Sequence, residues 1–276
     1  MDKIRLNNGV ELPLIGFGTY PMHGAECEDS VITAIQAGYR MLDTAEAYGN
    51  EEEVGRGIAR CGIPREELTL VTKVDFKSYD HALLSVENSL KKLGTDYLDL
   101  VLLHWPFANY YAAWRTLEDL YRQGKIRAIG VSNFNPDRLV DLIQYNQVVP
   151  AVNQVETHLF CQRKESRRWM EKYGVAPMAY APLSRVRRED IFGGAVADIA
   201  GIHGKTEAQV LLRFLIQEGV MVIPKSSRPE RIRGNFDIFD FSLTEEEMER
   251  LRALDEDAPL IGNPENPEKV EIAKTW

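Results

Sequence analysis

The chain has 276 residues, of which 44% are hydrophobic and 27% are charged. This length predicts one large α/β domain or two small domains, and the composition excludes collagen, coiled-coil and disordered chains. Because 33 basic residues stand against 42 acidic ones, the formal net charge is −9. We therefore expect neither nucleic acid nor an anionic membrane as a partner.

Neither a membrane span nor a secretory signal is predicted. No apolar run approaches the roughly 20 residues that cross a bilayer, and Met1–Val10 lacks the apolar stretch of a signal peptide. The three cysteines, Cys27, Cys61 and Cys161, are too few and too widely spaced for a disulfide framework or a zinc site. These features together predict a cytoplasmic protein.

The chain begins with a predicted β-hairpin over Met1–Pro13, because Asn8-Gly9 is a common hairpin turn. After it, short apolar runs alternate with longer helical patterns. The runs are almost continuously apolar, which is typical of parallel strands covered on both faces. They predict strands at Leu14–Phe17, Tyr39–Leu42, Leu68–Thr72, Leu98–Leu103, Ala128–Val131, Val152–Val155, Ala176–Ala179 and Val220–Ile223.

The segments between these runs predict helices, and several begin with a pattern that caps a helix. The predicted helices are Glu28–Ala37, Glu51–Arg60, Asp80–Leu93, Tyr111–Gln123, Pro136–Tyr145, Gln162–Tyr173, Thr206–Gln217 and Thr244–Leu254. The capping patterns are Asn50 with Glu53, Asn135 with Pro136, Thr206 with Gln209, and Thr244 with Glu247. About eight strand–helix units result, the number that a (β/α)8 barrel requires.

A doubly wound open sheet is the competing fold. Its dinucleotide-binding form carries Gly-x-Gly-x-x-Gly after the first strand, whereas here Gly16-Phe17-Gly18 lacks the third glycine. We therefore predict a single α/β domain over residues 1–276, a (β/α)8 TIM barrel whose N-terminal hairpin caps the bottom. The tail, residues 259–276, is expected either to fold over the barrel mouth or to be partly disordered.

Polar and titratable side chains follow successive predicted strands. In a barrel the carboxyl ends of all strands surround one mouth, where the active site lies. Each residue alone has an ordinary structural explanation, such as a cap or a surface lysine, but their concentration at strand ends indicates an active site. These residues are Asp43, Lys73, His104, Ser132, Asn133, Gln154, Glu156, Tyr180 and Lys225.

Tyr48, five residues after Asp43, completes a set with a definite chemistry. A tyrosine with a pKa of about 10 is a poor acid near neutrality, and we expect the Lys73 ammonium to lower that pKa. Asp43 would keep Lys73 charged, and His104 would donate a hydrogen bond to a substrate oxygen. Such a set delivers a proton to a developing alkoxide, which suits carbonyl reduction with hydride from a separate carrier.

Metal and serine-hydrolase chemistry are not indicated. The five histidines form neither His-x-His nor His-Glu-x-x-His, and Gly-x-Ser-x-Gly is absent. We predict no metal site.

A basic cluster after the last predicted strand indicates a phosphate site. Lys225, Arg228 and Arg231 lie with two serines, Ser226 and Ser227, at the start of a short helix. Helix N-termini and this loop of a barrel commonly bind phosphate. The cluster suits the 2′-phosphate of NADPH better than the ribose of NADH. Asn235, one helical turn after Arg231, is then placed to contact the adenine.

Three long motifs resemble signatures of the aldo-keto reductases: Met41–Glu51, Gly124–Phe134, and Ile223–Ser226 with Arg231 and Asn235. Thr72-Lys73 and Leu103–Pro106 fall between the first two, in the order that the family shows. The similarity runs from the hairpin to about Leu254. The chain is most similar to the prokaryotic-type branch, which reduces small aldehydes, ketones and diketo sugar acids.

The resemblance implies NADPH-dependent reduction of a small-molecule carbonyl substrate by a monomer. Tyr48 would be the general acid, supported by Lys73 and Asp43, and His104 would orient the carbonyl. Ser132, Asn133 and Gln154 would hold the carboxamide, and Tyr180 would stack on the nicotinamide. The implied cofactor contacts are Gly18, Thr19, Tyr20, Asp43, Ser132, Asn133, Gln154, Tyr180, Leu183, Lys225, Ser226, Ser227, Arg231 and Asn235.

Loops beyond the strand ends supply the candidate substrate contacts. These are Tyr20, Met22, His23, Tyr48, Phe76, His104, Trp105 and Phe107.

Three positions depart from the family pattern. Gly234 replaces a Glu or Gln, so we expect a weaker grip on the adenine. Asp75 replaces a Trp, so we expect a more polar pocket wall. Ser184 replaces a Gly after Leu183, so contacts to the pyrophosphate are expected to differ.

Two other functions remain open from the sequence. One is a regulatory subunit of the same fold that binds NADPH without turnover. The other is a barrel enzyme of a different class that uses the basic loop for a phosphorylated substrate.

Overall fold

Eight parallel strands are paired side by side in the order in which they occur along the chain. The structure is a computed structural model that describes residues 2–184, 192–261, 263–273 and 275. A short antiparallel pair, β1 (Lys3–Arg5) and β2 (Glu11–Pro13), precedes the parallel sheet. The parallel strands are β3 (Phe17–Gly18), β4 (Met41–Asp43), β5 (Thr69–Val74), β6 (Leu100–Leu103), β7 (Ile129–Ser132), β8 (Val152–Glu156), β9 (Ala176–Tyr180) and β10 (Met221–Val222).

The sheet closes into a barrel between its first and last strands. The backbone N–H of Gly16 donates to the carbonyl of Val222 at 2.9 Å, and the N–H of Val222 donates to the carbonyl of Leu14 at 2.9 Å. The predicted (β/α)8 barrel is therefore confirmed.

Helices surround the barrel and follow most strands. Within the described ranges they are α1 (Gly24–Ala37), α2 (Glu51–Cys61), α3 (Ala82–Leu93), α4 (Tyr110–Arg122), α5 (Pro136–Gln144), α6 (Lys164–Lys172), α7 (Gly194–His203), α8 (Glu207–Gln217), α9 (Pro229–Phe236), α10 (Glu245–Arg252) and α11 (Pro267–Ala273). Short 3-10 helices cover Glu46–Tyr48, Arg65–Glu67 and Phe76–His81. No helix of the described ranges is long and apolar enough to cross a bilayer.

Alternate residues of the strands face two different cores. Leu100 and Leu102 of β6 belong to the cluster inside the barrel, whereas Val101 and Leu103 pack in the cluster shared with the helices. Both faces of the sheet are thus covered by apolar side chains, which explains why the strands read as continuous apolar runs.

The N-terminal hairpin covers the bottom of the barrel, as predicted. Leu6 and Leu12 join the interior cluster. The side-chain amide of Asn7 donates to the carbonyl of Pro150 at 3.0 Å, just before β8. The amide of Asn8 donates to the carbonyl of Arg127 at 2.9 Å, just before β7. These bonds tie the hairpin to the amino ends of two strands.

Several strands extend one or two residues beyond the predicted apolar runs. Asp43, Lys73 and Tyr180 lie inside strands rather than after them. Strand pairing uses backbone groups, so it continues past the point where the side chains become polar. The polar side chains at the mouth are therefore held by the sheet itself.

The helix starts confirm two predicted caps and correct others. Thr206 with Gln209 and Thr244 with Glu247 both form complete capping boxes. The predicted helix Asp80–Leu93 is instead the 3-10 helix Phe76–His81 followed by α3.

Two helices, α7 and α11, were not predicted. The sequence of α7 is apolar almost all round and contains glycines, so it has little helical periodicity.

Candidate active site

A cavity of about 940 Å³ opens at the carboxyl ends of the strands. It brings together all the predicted cofactor contacts and all but one of the predicted catalytic residues. The predicted residues that line it are Gly18, Thr19, Tyr20, Asp43, Tyr48, His104, Trp105, Ser132, Asn133, Gln154, Tyr180, Leu183, Lys225, Ser226, Ser227, Arg231 and Asn235.

Some predicted residues lie outside this lining. Lys73 is buried behind Asp43. Met22 is buried in the hydrophobic core, and Phe76 packs edge-on against Phe107 with ring centroids 5.7 Å apart. His23, at the start of α1, does not line the cavity either. The roles of Met22 and Phe76 in substrate binding therefore have no support from the cavity.

Asp43 and Lys73 form a buried ion pair. The ammonium of Lys73 donates to Asp43 Oδ1 at 2.6 Å and to the carbonyl of Thr44 at 2.8 Å. The other carboxylate oxygen of Asp43 accepts from Gln154 Nε2 at 2.8 Å. Burial lowers the pKa of Lys73 and the Asp43 carboxylate opposes that shift. The carboxylate thus helps to hold a charged lysine in a dry environment.

Tyr48 lies in the 3-10 helix Glu46–Tyr48. Its ring centroid is 5.0 Å from Lys73 Nζ, 5.7 Å from the His104 ring and 4.8 Å from the Tyr20 ring. Burial, followed by the Asp43 carboxylate and Tyr20, holds the pKa of the Tyr48 hydroxyl well above its ordinary value. The net shift is therefore upward and not the expected lowering, because desolvation outweighs the stabilisation of the phenolate by the Lys73 ammonium.

His104 follows β6 and is neutral at physiological pH. Burial, with a further contribution from the Lys73 ammonium, lowers the pKa of His104 to about 3. A neutral imidazole has one N–H donor and one acceptor nitrogen. It can therefore donate one hydrogen bond into the cavity without bringing a charge.

One wall of the cavity is a chain of hydrogen bonds. The Tyr180 hydroxyl donates to Asn133 Oδ1 at 2.8 Å, and Asn133 Nδ2 donates to Ser132 Oγ at 3.2 Å and to the His104 carbonyl at 3.0 Å. Ser132 Oγ in turn donates to the carbonyl of Gln154 at 2.8 Å. Asn133 has φ = 64°, a left-handed conformation that Asn tolerates better than most residues. These bonds fix the wall before a ligand binds.

A group of basic side chains also lines the cavity. Lys225, Arg228 and Arg231 line it together with Ser226 and Ser227. Arg228 is the N-cap residue of α9, and its N–H donates to Ser226 Oγ at 3.1 Å. The cluster combines basic side chains with a helix N-terminus, the arrangement that binds phosphate.

The departures at Gly234 and Ser184 fall on this cavity. Gly234 lines it, and a Cβ added there would meet nothing within 4 Å. Ser184 is buried against it with φ = 45°, a conformation that favours glycine.

Asp75 begins the 3-10 helix that follows β5. Its Oδ1 accepts from the N–H of Lys77 at 2.9 Å and caps the 3-10 helix Phe76–His81. The side chain is not among those that line the cavity, so the cavity gives no support to the predicted polar pocket wall at this position.

Asn50 has a different role from the predicted helix cap. Its Nδ2 donates to the carbonyls of Thr19 and Met22 at 3.2 and 3.0 Å, and its Oδ1 accepts from Thr44 Oγ1 at 2.7 Å. The hydrogen bonds of the side-chain amide thus join the turn after β4 to the loop after β3. It makes no capping hydrogen bond to α2.

The sequence analysis did not identify every residue that lines the cavity. Ile261, from the tail, lines the cavity mouth. It is held there by the buried carboxylate of Glu156, which accepts from the N–H groups of Leu260 and Ile261 at 2.7 and 3.0 Å. Glu156 stands out as a polar strand-end residue, but nothing in the sequence points to Ile261. The last residue of the predicted tail, Trp276, lies outside the described residues.

Comparisons with known proteins agree with this geometry. The Aldo/keto reductase family model matches residues 14–190 and 192–256. The glyoxal reductase of Bacillus subtilis is 44% identical over 268 residues, covering 96% of this chain and 96% of that protein.

Solved structures are similar over almost the whole chain. An aldo-keto reductase from a Medee basin deep-sea metagenome library has a TM-score of 0.92 and 42% identity, covering 95% of this chain and 98% of the other. The Bombyx mori aldo-keto reductase in complex with NADP has a TM-score of 0.88 and 34% identity, with 95% of each chain covered. The chain therefore belongs to the aldo-keto reductase family of oxidoreductases.

Proposed function

We propose that this protein reduces aldehydes and ketones to alcohols, with NADPH as the hydride donor and Tyr48 as the general acid. The observation that carries the proposal is that one cavity is lined both by Tyr48 with His104 and by a basic cluster. Family membership supports it, since one relative is a glyoxal reductase and a structural neighbour is in complex with NADP.

The residues of the cavity suit a long anionic cofactor. A volume of about 940 Å³ lies at the upper end of the range for ligand pockets. Bound there, the cofactor supplies the hydride. Lys225 and Arg231, with the two serines between them, would hold the 2′-phosphate, and Asn235 the adenine. The amide and hydroxyl groups of Ser132, Asn133 and Gln154 would hold the carboxamide, beside the ring of Tyr180 and near Gly18, Thr19, Tyr20 and Leu183.

Side chains of the protein would donate the proton that the carbonyl oxygen takes up. Tyr48 donates its hydroxyl proton to the carbonyl oxygen as negative charge develops there, and His104 donates a second hydrogen bond that orients this oxygen. The ammonium of Lys73, 5.0 Å from the Tyr48 ring centroid, stabilises the phenolate left behind. Asp43 keeps that ammonium charged at a contact of 2.6 Å.

The proposal is tested by the loss of NADPH absorbance with a reactive aromatic aldehyde, with NADH run in parallel. Aldehyde-dependent oxidation that prefers NADPH supports it. Tight NADPH binding without oxidation would contradict it and point to a protein that only binds the cofactor. Competition by a sugar phosphate, with no binding of NADPH, would contradict it as well.

The rate of reduction is expected to be nearly independent of pH between about 5 and 8. His104, whose pKa burial and Lys73 lower to about 3, stays neutral throughout this range. Tyr48, whose pKa burial raises, keeps its proton to pH values above about 10. The profile of kcat at saturating cofactor and aldehyde checks this. An ionisation between pH 5 and 8 in the kcat profile that belongs to the proton-transfer step would contradict it.

Replacing Arg231 with alanine is expected to weaken NADPH binding about 10- to 100-fold and to leave NADH binding nearly unchanged, because only NADPH carries the 2′-phosphate. Quenching of intrinsic fluorescence on titration with each cofactor measures both affinities. Arg233→Ala, on the same helix but outside the cavity lining, is the matched control. Equal losses for NADPH and NADH in Arg231→Ala would argue against the assigned phosphate contact.

A further inference from the structure

A half-buried carboxylate lies two residues before Tyr48, on the same turn of 3-10 helix. Glu46 Oε2 accepts from the N–H of Asp75 at 2.9 Å and from Ser85 Oγ at 2.8 Å, and its Oε1 accepts from Ser78 Oγ at 2.8 Å. All three donors belong to the segment between the end of β5 and the first turns of α3. One side chain therefore binds three points of a neighbouring segment.

This contact joins the two parts of the chain that carry Tyr48 and Lys73. Lys73 lies in β5, and Asp75 follows that strand directly. Tyr48 and Lys73 do not share an element, so their separation depends on how the turn sits against the strand end. Glu46 is the carboxylate that links the two, since it is on the turn and binds the residue after the strand.

The turn has few bonds of its own to hold its position. Within it, the N–H of Tyr48 donates to the carbonyl of Ala45 at 3.0 Å, and that of Gly49 to the carbonyl of Glu46 at 3.2 Å. A 3-10 helix of three residues is not a rigid element. Hydrogen bonds to an ionised acceptor are stronger and shorter than neutral ones, so three of them orient the turn.

The turn is also tied on its other side. Asn50, two residues after Tyr48, donates to the carbonyls of Thr19 and Met22. Asn50 fixes the turn to the loop after β3, whereas Glu46 fixes it to the end of β5. Lys73 itself donates to the carbonyl of Thr44 at the start of the same loop, and Glu46 adds a second link between the turn and the end of β5.

We propose that Glu46 is a positioning residue for the general acid, holding Tyr48 at its working distance from Lys73 through the segment 75–85. This proposal rests on the proposed role of Tyr48. Glu46 does not line the cavity, so it acts through Tyr48 and touches neither substrate nor cofactor.

Glu46→Ala removes both carboxylate oxygens, and with them all three hydrogen bonds, and is expected to lower kcat by about 10- to 100-fold, the cost of a displacement of about 1 Å at a reacting group. The KM for aldehyde and the affinity for NADPH should change little, because neither ligand contacts Glu46. Glu46→Gln keeps one acceptor oxygen at nearly the same volume, and we expect an intermediate loss. Glu52→Ala, an exposed carboxylate on the next helix, is the matched control and should retain full activity.

The deciding measurement repeats Glu46→Ala in a Tyr48→Phe background, by single-turnover kinetics. If Glu46 acts through Tyr48, the loss should largely disappear there, since mutations at coupled sites are not additive. Ser78→Ala with Ser85→Ala, which removes two donors from the other side, should also lower kcat.

An undiminished loss in the Tyr48→Phe background, or an unchanged kcat in folded Glu46→Ala and Glu46→Gln, would overturn the assignment. Thermal unfolding establishes that each variant is folded. If the wild-type protein reduces no aldehyde, the proposed function itself has failed, and this result is seen before any variant is compared.

Discussion

Tyr48→Phe is expected to lower kcat for aldehyde reduction by roughly 10²- to 10⁴-fold, the contribution of a positioned general acid. Phenylalanine keeps the ring contacts with Tyr20 and His104 and lacks only the hydroxyl. NADPH affinity and thermal stability should therefore stay close to wild type. Steady-state kinetics with an aromatic aldehyde, and single-turnover measurements for the slow variant, provide the comparison.

Tyr39→Phe is the control for losing a buried tyrosine hydroxyl. The Tyr39 hydroxyl donates to the carbonyl of Ile232 at 3.2 Å, away from the cavity. Its removal should cost about 1 kcal/mol of unfolding free energy and leave kcat unchanged. Equal turnover by Tyr48→Phe and wild type would remove Tyr48 from the reaction.

Lys73→Met is expected to reduce the free energy of unfolding by about 3–5 kcal/mol, as when one partner of a buried ion pair is removed. The Asp43 carboxylate would keep only the hydrogen bond from Gln154 in a site where its side chain is 2% exposed. Urea denaturation followed by circular dichroism measures the loss. Turnover should fall as well, since the phenolate of Tyr48 would lose its nearby cation.

A double variant separates stability from catalysis at this pair. Asp43→Asn combined with Lys73→Met leaves no unpaired charge, so most of the lost stability should return. Activity should not return, because the ammonium is still missing. A single Lys73→Met variant as stable as the wild type would show that the ion pair contributes little to the folded state.

The barrel was predictable from the sequence because burial leaves a direct signal in it. Strands that pack against side chains on both faces must be apolar throughout, and helices with one buried face repeat about every 3.6 residues. The polar strand-end residues, such as Asp43 and His104, were predictable for the same reason. They interrupt runs that are otherwise apolar, and the topology carries them to one mouth.

The sequence carries no comparable signal for where a side chain points or which groups it contacts. Asn50 has the residue type and spacing of a helix cap, but it bonds instead to two carbonyls of the loop after β3 and to a side chain of its own loop. Asp75 occupies a position that suggested a pocket wall, but it caps the helical turn that follows it. For Tyr48, the nearby lysine was visible in the sequence, whereas the extent of burial that raises its pKa was not.

Contacts between residues that are far apart along the chain could not be predicted from the sequence either. The partners of Glu46 lie 29, 32 and 39 residues away along the chain, and the tail amides bound by Glu156 lie 104 and 105 residues away. No local pattern marks such pairs. They follow only from the closed barrel, which brings successive strand ends side by side.

The closure of the barrel also bears on how this protein is made. Its first strand segment meets its last at Ile15 and Val222, which are roughly 200 residues apart in a chain synthesised from the N-terminus. Until Val222 leaves the ribosome, the growing sheet has two open edges, and open edges pair readily with other chains. The N-terminal hairpin cannot dock fully until later in synthesis either, since one of its partners is the carbonyl of Pro150. A ribosome stalled shortly before Val222 would therefore hold a chain with seven of the eight parallel strands and both sheet edges open, a form that pairs readily with other chains.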